Sequence, residues 1–282
     1  MTKHIPVLLN SVMDSLGDIH GRRIIDATFG AGGYTRAFLA AGASVVAFDR
    51  DPNVKVDVDA VRREFGNRFE FIPKTFSHMA ELAPAFDAIV FDLGISSMQI
   101  DNAERGFSFR FDAPLDMRMS GDGDTIIDMF EKWTMGDITK ILRDFGDVRP
   151  APAIARAIKE KMPRTTFELR DLIHNPRDIA PVFQALRIAL NDEMGEITRA
   201  LTVVPKLLGV GGRCICVTFH SLEDRIVKNI FREWTTVSGD PRMPNVTAPK
   251  FENLRSCVPG EVELNNNPRA RSAHLRGVIK IY

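Results

Sequence analysis

The stretch that most constrains the fold lies near the start of the chain. Arg23-Ile-Ile-Asp26-Ala-Thr-Phe-Gly30-Ala-Gly32-Gly33-Tyr34 is an apolar run that ends on an acid and enters a turn with three glycines. Residues 34–41 then suit a short helix. A strand that passes through a glycine turn into a helix opens a parallel βαβ unit, since parallel strands need a long crossover. The following runs repeat the pattern. Residues 43–49, 69–72 and 86–93 read as strands, with helices over 53–65 and 76–82 between them. Near-continuous apolar strands separated by helices imply a parallel sheet covered on both faces, a doubly wound α/β fold.

The alternation stops after Leu93. Residues 100–125 carry no apolar period and are dense in Asp, Arg, Gly and Phe, and helical patterns follow over 126–133, 137–145, 151–162 and 167–173. We read 100–181 as a helical insertion, which makes the α/β domain discontinuous over 1–99 and 182–282. A long helix is expected from Val182 to Leu208, closed by Gly209-Val-Gly-Gly212. A fifth strand follows over 213–219, and Ser221-Leu-Glu-Asp224 suggests a capping box that opens a helix over 222–234. Residues 236–268 read as loop and 274–282 as a final strand.

Composition excludes several classes. With 44% hydrophobic and 26% charged residues in 282, the chain can bury a core and is not a disordered polypeptide. Lys+Arg 37 against Asp+Glu 37 gives zero net charge, so nucleic acid can be held only by a local basic patch. Three cysteines, an odd number, argue against a secreted disulfide framework. No apolar run reaches the roughly 20 residues of a spanning helix, and the first ten residues are too short in their apolar part for a signal peptide. A cytoplasmic protein with no membrane partner is the expectation.

The glycine turn points to a nucleotide-like ligand at the carboxyl edge of the sheet. Asp49, which ends the second strand, can accept both ribose hydroxyls of an adenosine. A dinucleotide fingerprint would place its third glycine where Thr35 stands, and Asp26 would repel a pyrophosphate. S-adenosyl-L-methionine is cationic at that spot, so an acid before the turn favours it. The glycines are expected to be there because a Cβ would block the ligand. Asp92, at the end of the fourth strand, can orient an amino acceptor, or it is an ordinary loop cap. Phe76 can flank the adenine or belong to the core.

Taken together, His4-Ile-Pro-Val-Leu-Leu9, Asp26–Gly33, Asp92-Leu-Gly-Ile-Ser-Ser97, Glu104-Arg-Gly-Phe-Ser-Phe-Arg110, Pro114-Leu-Asp-Met-Arg-Met119, Phe183-Gln-Ala-Leu-Arg-Ile188, Asn191-Asp-Glu193, Phe219–Lys228 and Asn267-Pro-Arg-Ala-Arg-Ser272 are specific strings. In them the chain resembles, almost end to end, the MraW-type methyltransferases, which methylate the exocyclic N4 of a cytosine in bacterial small-subunit ribosomal RNA. The resemblance implies a Rossmann-like class I methyltransferase fold with S-adenosyl-L-methionine as cofactor. It places cofactor contacts at Gly32, Gly33, Tyr34, Asp49, Phe76, Asp92 and Gln99. It also implies that the insertion helps to hold the substrate, either free 16S ribosomal RNA or the 30S particle. Tyr34 stands where the family commonly has His, and Asp147-Val148-Arg149-Pro150 departs from the usual paired acids. A monomer and a homodimer are both compatible with the sequence.

Cytosine N4 is a poor nucleophile, because its lone pair is delocalised into the ring. A hydrogen-bond acceptor beside it is the useful catalytic group. Asp92 is the first candidate and Asp116 the second. Phe107 and Phe109 (with Phe111) alternate with Ser108 and Arg110, a mix suited to stacking an extruded base, or to packing rings into a core. His220 and Ser221 face the same sheet edge, with the target base or a phosphate as possible contacts and helix capping as the other role for Ser221. Arg269 and Arg271, with Arg276, Lys280 and His274, form the best local cluster for phosphate. Cys214 and Cys216 face one side of a strand with no four-ligand set in sight, so no metal is expected. A DNA or protein methyltransferase on the same scaffold, and an inactive ribosome-assembly binder, are the competing readings.

Overall fold

A computed structural model of the chain describes residues 6–237 and 248–282. It contains two compact units, Met1–Gly94 with Met194–Tyr282, and Ile95–Glu193. The first unit holds one sheet of seven strands: β1 (Arg23–Asp26), β2 (Ser44–Phe48), β3 (Phe69–Ile72), β4 (Phe86–Asp92), β5 (Leu208–Thr218), β6 (Phe251–Asn253) and β7 (His274–Lys280). Their order is β3-β2-β1-β4-β5-β7-β6. The pairs from β3 to β5 are parallel, and β7 runs antiparallel to both its neighbours. This is a Rossmann-like sheet. Ile24, Ile25, Ile89 and Val90 are fully buried, as strands covered on both faces require. The chain leaves β1 toward β2 on one side and returns through β4 on the other. The carboxyl ends of β1 and β4 therefore flank the switch point where such sheets bind ligands.

Helices α1 (Leu9–Leu16), α2 (Gly33–Ala40) and α3 (Lys55–Phe65) precede the second unit, which contributes α4 (Ser97–Asp101), α5 (Ile126–Lys132), α6 (Met135–Gly146), α7 (Ala151–Lys161), α8 (Thr166–Asp171) and α9 (Pro176–Leu190). Then come α10 (Glu193–Leu207), α11 (Ser221–Thr235) and α12 (Glu261–Asn266). In the second unit, Thr125 with Asp128, Thr134 with Asp137 and Thr165 with Glu168 form capping boxes that start α5, α6 and α8. Phe130, Ile138, Leu142, Ile158 and Leu186 are fully buried in its core.

Four expectations differ from the structure. The helix expected from Val182 to Leu208 is two helices, broken at Asn191-Asp192, where Asp192 adopts φ 48°. The Asn191 side chain causes the break: its Nδ2 donates to the Arg187 and Met117 carbonyls (2.9 and 2.8 Å), and its Oδ1 accepts from the Met119 N–H at 2.8 Å. Because α9 sends Val182, Phe183, Ala185 and Leu186 into the second unit's core, the units part after Glu193, not at 181/182. At the other end they part after Gly94 rather than Gln99. Gly209–Gly212 does not end a helix as a loop. Phe86 pairs with Leu208 and Ala88 with Arg213, so these glycines bulge from β5, and a Cβ on Gly212 would lie 2.7 Å from the Gly209 carbonyl. Finally, the stretch read as loop over 236–268 contains β6 and α12, while 238–247 lies outside the described residues. Cys214 and Cys216 are buried core residues, as expected.

Candidate active site

The turn after β1 sets the geometry. Gly30 and Gly32 have φ 53° and 75°, a left-handed backbone that costs an L-residue roughly 1–2 kcal/mol. A Cβ on Gly32 would lie 2.9 Å from the Phe29 ring, and one on Gly33 would lie 2.4 Å from Pro6 Cγ. At 32 and 33 it is thus the protein's own packing that demands glycine, where exclusion of a ligand was the expectation. Of the three glycines in this turn, Gly30 alone has room for a Cβ, with nothing within 4 Å among the described residues.

Acids surround this turn. Asp26, the last residue of β1, is fully buried and accepts from Thr35 Oγ1 at 2.6 Å and from the Thr28 N–H at 3.2 Å. Burial is the main cause that raises its carboxyl from 3.8 to about 6. Thr35, which replaces a dinucleotide glycine, is therefore the partner of Asp26. Asp49 follows β2 directly. Its two oxygens accept from the Gly30 N–H (2.8 Å) and the Asp51 N–H (2.9 Å), and burial raises its carboxyl. Each oxygen keeps a second lone pair for a ligand hydroxyl.

Asp92 ends β4. Val90 pairs with Asp26, so Asp92 emerges two residues later on the same sheet face as Asp26. Its backbone N–H donates to Thr28 Oγ1 at 2.8 Å, which ties the end of β4 to the turn after β1. Its Oδ1 is buried and has no hydrogen-bond partner among the described residues. Burial first, then the charges of Asp26 and Glu223, push its carboxyl well above the usual range.

Two further expected contacts belong to this unit. Tyr34 is 3% exposed, stacks on Phe38 with ring centroids 6.0 Å apart, and donates its hydroxyl to the Val7 carbonyl. Its polar edge is thus engaged with the N-terminal segment. Burial, then Asp92, Asp26 and Glu263, raise its phenol. Phe76 opens a 3₁₀ turn (Phe76–Glu81) and meets Phe91 edge-on at 5.7 Å, partly exposed.

The strand β5 delivers the third side of the site. Asp92 pairs with Val217, and three residues on His220 caps α11. The cap expected at Ser221 is one residue earlier, because Ser221 is already helical and is exposed. Glu223 is fully buried; its Oε2 accepts from the N–H groups of Phe219 (2.8 Å) and His220 (3.3 Å). His220 Nδ1 faces the Glu223 N–H at 3.5 Å, and His220 Nε2 lies 3.0 Å from Glu223 Oε1. Among the described residues neither Nε2 nor Oε1 makes an aligned hydrogen bond, although both are buried. Asp92, His220 and Glu223 thus each bury one polar atom unpaired at the carboxyl ends of β4 and β5. Such atoms are costly unless a ligand satisfies them. The sequence pattern puts the cap at Ser221 and its partner at Asp224, with Glu223 only an acid of the first turn, so neither its place in the box nor its second oxygen is legible there.

The arrangement fits a cation bearing hydroxyls. Asp26, Asp49 and Asp92 crowd buried carboxylates around an open glycine turn, and a positive charge there would relieve both their desolvation and their repulsion. A pyrophosphate would worsen both.

The remaining expected residues have other surroundings. In the second unit, Gln99 closes a capping box with Ser96: the Ser96 N–H donates to Gln99 Oε1 at 3.0 Å, and the Gln99 N–H to Ser96 Oγ at 3.2 Å. Phe107 is buried in that unit's core and Phe109 packs edge-on against Phe183 at 5.4 Å, so the core role describes both. Arg110 is exposed, and so is Phe111. Asp116 is taken up by Arg118, with two side-chain contacts of 2.7 Å. Burial works to raise its carboxyl, but the Arg118 hydrogen bonds and charge overcome this and hold it below the usual range. In the first unit, Arg269 and Arg271 are exposed on a short 3₁₀ turn (Pro268–Ser272). Arg276 instead grips Asp224 at 2.7 and 2.8 Å, and Lys280 Nζ donates to the Pro205 and Leu208 carbonyls at 2.8 and 2.7 Å. Those two cations brace the fold.

Comparison with known proteins agrees with this chemistry. The chain is 47% identical over 291 residues to a "Ribosomal RNA small subunit methyltransferase H" of Chelativorans sp. (strain BNC1), covering 97% of this chain and 86% of that one. A protein of the same name from Mesorhizobium japonicum is 46% identical, with 99% and 87% covered. Among solved structures, a rRNA methylase from Streptococcus thermophilus aligns over 100% of this chain and 99% of its own, at 14% identity and TM-score 0.47. The sequence relatives carry the assignment. The match of the MraW methylase family over residues 1–281 completes it, and the chain belongs to that family.

Proposed function

We propose that the protein transfers a methyl group from S-adenosyl-L-methionine to the exocyclic N4 of a cytosine in small-subunit ribosomal RNA. The observation that carries this is the buried, unpartnered Oδ1 of Asp92 beside the acid-lined glycine turn. The names of the close relatives support the RNA class. When bound, S-adenosylmethionine supplies an electrophilic methyl on a positively charged sulfur.

The chain's own residues do the rest. Asp49 offers its remaining lone pairs to the ribose hydroxyls, and its backbone bonds to Gly30 and Asp51 fix the carboxylate in place. Asp26 and Asp92 provide the negative field for the cation. Asp92 Oδ1 accepts a hydrogen bond from the target amine, which favours pyramidal nitrogen and holds it in line with the methyl. As the nitrogen gains the methyl it sheds one proton, and a carboxylate at hydrogen-bond range can receive it. The second unit contributes Arg110 and Phe111 to the RNA grip, and Arg269 and Arg271 contact phosphates. The reaction takes place in the cytoplasm.

The test uses ribosomal RNA from a strain lacking this methylation. Naked RNA and 30S particles are incubated separately with the protein and isotopically labelled donor, then digested to nucleosides for mass analysis. Labelled N4-methylcytidine from one of the two substrates is expected. Label in protein, in another nucleoside or nowhere overturns the proposal. Sedimentation of the same preparation distinguishes a monomer from a homodimer.

A further inference from the structure

We infer that Glu223 and His220 together read the edge of the target base, with Glu223 Oε1 accepting from its exocyclic amine and His220 Nε2–H donating to the adjacent ring nitrogen. The inference rests on the proposed function for the kind of target, and adds which residues recognise it.

Capping alone does not explain Glu223. A capping box needs one side-chain acceptor, and Oε2 alone already takes both the Phe219 and His220 N–H groups. A glutamine would serve as well there. Among the described residues the second oxygen of this fully buried side chain is left without an aligned hydrogen bond, and so is His220 Nε2 on a side chain 14% exposed. With Nδ1 turned to the Glu223 N–H, a neutral His220 ring carries its proton on Nε2. The pair therefore presents an acceptor and a donor side by side, 3.0 Å apart and not aligned with each other.

A side-by-side acceptor and donor complements an amine next to a ring acceptor, the edge that cytosine and adenine offer. Side-chain amides read adenine by the same pairing. Uracil reverses both groups and would set a carbonyl against the carboxylate. Enzymes that modify a base commonly extrude it and read this edge in a pocket. The placement agrees: a Cβ built on Gly94 would lie 3.5 Å from Glu223 Oε1, so this oxygen points at the turn leaving β4, two residues after Asp92. An amine has two hydrogens, one for each carboxylate.

The full-length protein is assayed for transfer to undermethylated small-subunit RNA, with cytidine and uridine 5′-monophosphates as competing inhibitors. Wild type is expected to be inhibited by the cytidine nucleotide about tenfold or more strongly than by the uridine one. Glu223→Gln, which turns an amide donor toward the base, is expected to lose that preference and most of the transfer, with S-adenosylmethionine affinity within about twofold of wild type. His220→Ala leaves the Glu223 bonds to backbone in place and is expected to lose the preference too, which keeps the test intact if Glu223→Gln does not fold. Wild-type transfer that ignores the difference between the nucleotides, or a preference unchanged in the variants, overturns this inference alone. Absence of any wild-type transfer to RNA overturns the proposed function and this inference with it.

Discussion

Replacing Asp26 by asparagine isolates the cost of holding an acid inside the sheet. Its carboxyl rises from 3.8 to about 6, chiefly through burial. The folded state therefore holds the proton more tightly than the unfolded chain, and stability is lost, not gained, as pH climbs through this window. The total effect is about 3 kcal/mol, of which about 2 kcal/mol falls between roughly pH 4.5 and 7.5. Other acids titrate in the same range, so the informative quantity is the difference in unfolding free energy between Asp26→Asn and wild type at each pH. That difference should rise by about 2 kcal/mol in favour of the variant across the window, measured by urea unfolding without ligand. Removing the Asp26 charge also eases Asp92, which adds in the same direction. The preference of the Thr35 bond for the ionised acid is already contained in the value of about 6, so a weaker bond between Thr35 and the variant's asparagine only offsets the difference by a constant. A flat difference, or one that falls with pH, refutes the reasoning. The same linkage makes cofactor affinity of wild type increase from about pH 5 to 7, because a cation favours the ionised acid; calorimetry in buffers of different ionisation enthalpy should detect proton release, and the variant should release less than wild type.

Asp92→Asn should lower kcat by about 100-fold or more while the cofactor Kd changes only severalfold; a loss confined to cofactor binding would contradict the role given to Oδ1. Gly33→Ala must displace Pro6, whose Cγ would lie 2.4 Å from the new Cβ, and should cost about 1–3 kcal/mol in thermal unfolding; an unchanged Tm would show that the segment yields freely. Arg269→Ala and Arg271→Ala should each reduce the slope of log affinity for RNA against log salt by about 1, and identical slopes would remove them from the phosphate contacts.

The sheet was legible in the sequence because strands buried on both faces leave apolar runs with few competing readings. β3 falls on the expected residues 69–72, and β1, β2 and β4 differ from expectation only at their ends. The break between α9 and α10 was not, since it depends on what Asn191 binds 72 and 74 residues away, and no local pattern carries that. β6 is three residues long and α12 six, too short for periodicity to show against a background of Asn and Pro. The acids of the site were readable from their place after strands. Their condition was not: whether Asp116 or Asp92 stays free turns on an arginine two residues away in one case and none in the other. The aromatic run showed the same limit, for alternating rings at 107, 109 and 111 look alike in sequence, yet two pack inward and one is exposed.

Residues 6–8 lie against the glycine turn, with Pro6 over Gly33 and the Val7 carbonyl on the Tyr34 hydroxyl, and the Leu8 N–H is claimed by Glu263, 255 positions later. On the ribosome, this segment must wait for α12 to emerge before it can settle. A nascent chain halted before α12 would hold every strand but β7 and would lack the Glu263 carboxylate that takes the Leu8 N–H, so the segment over the glycine turn would still be unlatched.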